Sequence, residues 1–114
     1  MTYSEIKALV SDIGLPYAYD HFAEGEAPAP PWIVFLLPGT DNFDADDVTY
    51  VQITEVAIEL YQDCKYPPNE KRIENALDAH EIPWEKTEAW IADEKLYEVR
   101  YEFNVLYEPE DDDE

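Results

Sequence analysis

The most constraining stretch of this chain is its last regular segment. From Lys95 to Tyr107, the residues Tyr97, Val99, Tyr101, Phe103, Val105 and Tyr107 alternate with Glu98, Arg100, Glu102 and Asn104. Successive strand side chains point to opposite faces, so this alternation predicts one strand with an apolar face and a polar face. A strand coated on one side with large apolar groups cannot stand alone in water; it needs sheet neighbours and a covering layer. The remaining sequence has to supply both.

Trp84 to Ile91 reads as a strand, joined to the last one by a turn at Asp93-Glu94. Trp32-Ile33-Val34-Phe35-Leu36-Leu37 is a continuous apolar run closed by Pro38-Gly39, which predicts a strand buried on both faces by helices or by a neighbouring subunit. Tyr17 to Phe22 reads as a further strand, whereas Ala23 to Pro31 holds Gly25, Pro28, Pro30 and Pro31 and cannot pair inside a sheet. From Val48 the chain is expected to run extended to about Tyr61. In its second half Val56, Ile58 and Leu60 oppose Glu55 and Glu59, while Val51 and Ile53 in the first half take the other parity. That predicts a bulge near Thr54, or a strand buried on different faces at its two ends. A strand this long can leave the core and continue as an arm.

Two helices provide the covering layer. Thr2-x-x-Glu5 fits a capping box, Tyr3, Ile6, Leu9, Val10 and Ile13 follow on one face, and Gly14 then Pro16 end the helix at about residues 3–13. Pro67-Pro68-Asn69 opens a second helix that Pro83 closes; Ile73, Ala76, Leu77 and His80 form its apolar face, Glu70, Lys71, Glu74 and Asp78 its polar face. The order of elements predicts an α+β fold: a mostly antiparallel four- to five-stranded sheet, two helices packed on one face, and an extended β-hairpin arm. Residues 1–107 are expected to form a single domain, and residues 108–114, with six acids among seven, an acidic disordered tail.

Charge narrows the function. The 114 residues hold 28 acids against seven bases, a net charge of −21, and the domain stays strongly acidic without its tail. Such a surface is repelled by DNA, RNA and anionic lipid, all of which require lysine or arginine to displace counterions. It is compatible with solubility, with a cationic partner, or with a surface past which a polyanion slides without sticking. The nine tyrosines suit strands that are core on one side and interface on the other, and equally a half-exposed sheet. Cys64, the one cysteine, forbids an intrachain disulfide and reads as a packing residue at a strand end. The N-terminal residues lack the pattern of a signal peptide, and the longest apolar run is too short to span a bilayer, so a cytoplasm-like milieu is expected.

Catalytic patterns are missing from the sequence. The glycines at 14, 25 and 39 form no phosphate loop; Ser4 and Ser11 lie in the first helix, and His21 and His80 in unrelated elements. Asp41, Asn42, Asp44, Asp46 and Asp47 crowd one loop, but counting from Asp44 the fifth and sixth positions are Val48 and Thr49, which breaks the calcium-loop pattern. The loop reads as solvated acid, with no metal and no cofactor expected. The chain is not expected to be an enzyme.

Several blocks resemble a known family. Thr2-Tyr3-Ser4-Glu5-Ile6-Lys7 with Gly14-Leu15-Pro16-Tyr17-Ala18-Tyr19 and Phe22-x-Glu24-Gly25-x-x-Pro28 form the first, and Pro31-Trp32-Ile33-Val34-Phe35-Leu36 with Asn42-Phe43-x-Ala45-Asp46 the second. Ile58-Glu59-Leu60-Tyr61, Trp84-Glu85-Lys86-Thr87-Glu88 and Glu94-Lys95-x-Tyr97-Glu98-Val99-x-Tyr101 complete them. The chain is similar over nearly its whole length, to about residue 103, to the short tail terminator, tail completion or minor structural proteins of long-tailed phages and prophages of Gram-positive bacteria. The resemblance implies a virion component, assembled in the host cytoplasm, that forms a ring, commonly a hexamer. Such a ring stops the tail tube and meets the major tail protein on one side and a neck or stopper protein on the other. It also implies a hairpin reaching the next subunit and a lumen through which DNA passes without specific binding. On that basis Asp41, Asp44, Asp46 and Asp47 are expected at the channel or its rim, with Tyr50, Val51 and Ile53 as further interface candidates. The rival readings are an acidic DNA mimic that blocks a host DNA-binding enzyme, and another head–tail neck protein; no membrane role is expected.

Overall fold

A computed structural model describes residues 1–40, 43–45 and 48–108, with the backbone alone for 43–45 and 48–51. Its order is α1 (Tyr3–Asp12), β1 (Tyr17–Tyr19), β2 (Trp32–Thr40), β3 (Phe43–Ala45), β4 (Val48–Val51), β5 (Ile53–Gln62), α2 (Pro67–Ala79), β6 (Glu85–Ile91) and β7 (Leu96–Leu106). The fold is α+β, as the pattern of elements predicts. Five strands form one sheet in the order β1-β2-β5-β7-β6, and β3 with β4 form a separate two-stranded ladder.

The sheet is mixed. The β2–β5, β5–β7 and β6–β7 pairs are antiparallel, but β1 runs parallel to β2, with Tyr17 opposite Ile33 and Tyr19 opposite Phe35. A parallel pair needs a crossover instead of a tight turn. The proline-bearing segment between Tyr19 and Trp32 is that crossover, and β1 ends short of the expected Phe22 because Asp20 turns the chain at φ 66°.

Local chemistry fixes the helix ends. The Glu5 amide donates to Thr2 Oγ1 at 3.1 Å and the Thr2 amide to Glu5 Oε1 at 2.8 Å, the reciprocal pair of a capping box. The bond from the Thr2 amide holds the Glu5 carboxyl below its usual range. At the other end Gly14 takes φ +90°, a conformation that costs a residue with a Cβ far more than glycine. Helix α2 stops at Ala79, before Pro83, because Glu81 reverses the backbone at φ 57°.

Ile6, Leu9, Val10 and Ile13 of α1 and Ile73 and Leu77 of α2 join one core with Ile33, Phe35, Val56, Ile58, Leu60, Val99, Tyr101, Phe103 and Val105. The strand residues in that set share one face of the sheet, so both helices cover it and leave the other face free of helices. Each fully buried side chain of this kind contributes about 1.5–3 kcal/mol relative to exposure. In β2, Ile33, Val34 and Phe35 are buried in succession, as the apolar run predicts. The cover for Val34 comes from the chain itself: it shares a cavity wall with Phe22 of the crossover and with Trp32 and Tyr61.

The expected bulge lies elsewhere. In β5 the residues Thr54 through Gln62 keep one parity without a break. The slip occurs in β2, where Leu36 pairs with Ala57 but Gly39 with Glu55, so one extra residue is accommodated around Leu37-Pro38. Proline at a bulge removes no ladder hydrogen bond, which explains its tolerance there. With no break in β5, Ile53 lies on the face opposite that of Val56, Ile58 and Leu60, and the gap at Gln52 separates β4 from β5.

Candidate assembly surfaces

Among the described residues no group of three or more His, Cys, Asp or Glu side chains is placed to hold a metal ion, and no helix is long and apolar enough to cross a membrane. The features that stand out are a hairpin, a sheet face without helices, and two ion-pair networks.

The hairpin grows from the end of the β2–β5 ladder. Thr40 of β2 pairs with Thr54 of β5, and beyond them Phe43 pairs with Val51, Asp44 with Thr49 and Ala45 with Val48. Between Phe43 and Asp44 the register slips, leaving Tyr50 as the extra residue of β4. The structure therefore places Asp44, Tyr50 and Val51 in this two-stranded extension. Ile53 begins β5, half-buried and opposite Leu106. Asp41, Asp46 and Asp47 lie outside the described residues, as do residues 109–114 of the acidic tail.

On the face without helices the carboxylates outnumber the cations. Arg100 of β7 is hydrogen-bonded to Glu59 of β5, directly across the ladder, and lies 3.7 Å from Glu102. The Tyr61 hydroxyl lies 2.8 Å from Glu98 Oε2 and 3.1 Å from Glu59 Oε1, so one proton serves two carboxylates. Burial, then the hydrogen bond to Glu98 and the charge of Glu59, push the Tyr61 phenol well above its ordinary range and keep it protonated. Trp32 stacks on Tyr61 with ring centroids 4.4 Å apart, and Phe22 meets Trp32 edge-on at 5.4 Å.

The second network sits under the first turn of α2. Glu70, expected on the polar face, is only 2% exposed. Its Oε1 accepts from Lys65 Nζ at 2.9 Å and lies 2.7 Å from Lys86 Nζ; Lys86 also reaches Glu74 Oε2 at 2.8 Å, and Lys65 reaches Glu88 Oε1 at 2.5 Å. The Tyr101 hydroxyl donates to Glu74 Oε2 at 2.8 Å. Burial alone would raise Glu70, but the hydrogen bonds from Lys65 and Lys86 outweigh it and hold the carboxyl below its usual range. This network ties α2 to the edge strand β6.

Three assignments from the sequence change. His80 belongs to the C-cap of α2 and is exposed, not part of the apolar face, because the helix ends before it. Glu70 takes the inward stripe; positions 70, 73 and 77 are spaced by three and four residues, a signal the residue type obscures. Cys64 is exposed beyond the end of β5 and packs in no core. The sequence reveals neither the Glu59–Arg100 pair, 41 residues apart, nor the link from Lys65 and Glu70 to Glu88 and Lys86 of β6, since only the folded sheet brings these together.

No protein-family model matches this chain, and no curated protein matches it.

Proposed function

We propose that the chain is a virion structural protein, a tail terminator of a long-tailed phage or prophage, whose copies form a ring on the end of the tail tube and join it to the neck. The observation that carries this reading is the β3–β4 ladder, which extends the central β2–β5 pair and is separate from the five-stranded sheet. Closed rings use heterologous contacts, in which two different patches of each subunit meet. A hairpin and a helix-free sheet face are two such patches on one small domain.

The charge fits the same role. With −21 overall and aspartates at 41, 44, 46 and 47 around the hairpin, a lumen lined in this way would hold no phosphate. Lysines in those positions would retain the DNA by counterion release. The hexamer, the tail-tube partner and the neck partner belong to this proposal.

The test uses the purified chain and tail tubes that lack their cap. Incubation, followed by negative-stain imaging and light scattering, is expected to show rings or tubes closed at one end. Replacing residues 41–50 by an Asn-Gly turn should leave a folded domain that no longer associates. A folded protein that joins neither its own copies nor tube ends, yet inhibits a DNA-binding enzyme as a monomer, refutes the terminator and favours the DNA mimic. Binding only to the head side of an isolated neck favours a different neck component.

A further inference from the structure

The crossover between β1 and β2 returns over the helix-free face and borders an open cavity of about 440 Å³. Its walls include Phe22, Trp32 and Tyr61, with Val34 as an apolar floor and the carboxylates of Asp20 and Glu94. His21 also lines it, with its Nδ1 2.8 Å from Asp20 Oδ2. Behind Tyr61 stand Glu98, held by that neutral phenol, and Glu59, matched by Arg100. The cavity thus combines three ring systems with an excess of negative charge.

We propose that this cavity is a binding site for an arginine side chain presented by a basic segment of a partner protein. Ring faces attract cations through their quadrupole, more strongly when water is excluded. A guanidinium is planar, stacks on Trp and Tyr, and forks toward carboxylates, which a lysine ammonium does not do. The acidic surroundings steer a basic segment to the site and disfavour an acidic one. The phenol of Tyr61 stays protonated, so its ring offers a neutral π face and its hydroxyl holds Glu98 in place. The site stands whether or not the chain forms rings, since a single domain contains all of it.

The experiment titrates the full chain, labelled with ¹⁵N, with acetyl-Gly-Arg-Gly-amide and separately with the same peptide carrying citrulline, which keeps the shape and loses the charge. The arginine peptide is expected to move the Trp32 indole and the amides of Phe22, Val34 and Ile91 saturably, with the citrulline peptide weaker by roughly tenfold. Phe22→Ala and Glu94→Gln, at half-buried and exposed positions, should each weaken binding by about two- to fivefold. Equal binding of the two peptides overturns the proposal. So do shifts spread over the whole acidic surface and unaffected by either variant. If the same resonances instead move with protein concentration alone, the occupant is a second copy and the partner assignment fails.

Discussion

The Glu70 network allows a sharp test of how a buried carboxylate is held. Two lysines converge on its Oε1, at 2.9 Å from Lys65 and 2.7 Å from Lys86, and the side chain is 3% exposed. Either lysine alone still neutralises it, so Lys65→Met or Lys86→Met should each destabilise by only about 1 kcal/mol, the more so because both lysines are partly solvated. Removing both leaves a buried charge with no cation, which costs about 3–5 kcal/mol. The excess over additivity, about 1–3 kcal/mol, is readable in a double-mutant cycle by urea unfolding at pH 7. The pH dependence should also invert. In the native chain Glu70 is held below its ordinary 4.5, so its contribution is present above that value and is lost as pH falls through the lower folded pKa. In the double variant burial acts alone and raises the carboxyl, so the folded state binds a proton that the unfolded state lacks. The penalty relative to the native chain should then be greatest at neutral pH and shrink as pH falls toward about 5. Additive single effects with a penalty independent of pH would refute this account.

Other outcomes follow from single positions. Leu60→Ala, at a fully buried site in the central strand β5, should lose about 2–5 kcal/mol by urea unfolding; a smaller loss would mean that the core collapses into the gap. Gly14→Ala should lower stability by about 1–2 kcal/mol from its φ of +90°. Its new Cβ would meet Arg72 Nη2 at 2.7 Å, but the tip of a long side chain can move aside, so Arg72→Ala should rescue little of the loss. Cys64 should react with a thiol reagent such as DTNB in the native protein as fast as in urea, and protection in the folded state would contradict its exposed position.

The sequence and the structure agree most closely where a signal is local. The capping box, the Gly14 stop, the helical stripe through Ile73 and Leu77, and the alternation of β7 each depend on residues within a few positions of one another. They disagree where the decision is made across the chain. Pro38-Gly39 closes the apolar run in the sequence, yet the strand continues through a bulge to Thr40 because β5 offers it a partner. His80, expected on the apolar face of α2, and Cys64, expected to pack at a strand end, are exposed because their elements end before them. Of the candidate interface residues, Tyr50 and Val51 stand in a strand, as the extended segment from Val48 predicts, whereas Asp44, expected in an acidic loop, belongs to β3.

The amino-acid order by itself determined the two helices, the identity of the main strands and the strong net acidity of the chain. Periodicity and capping are enough for these, since the energies involved act within one or two turns of backbone. Only the tertiary structure decided that β1 joins the sheet parallel, that Glu70 turns inward between two lysines, and that Phe22, Trp32 and Tyr61 meet around one cavity. Those outcomes depend on which segments pack together. Burial raises the free energy of a lone charge or polar group so steeply that its partner must be present before its position can be known.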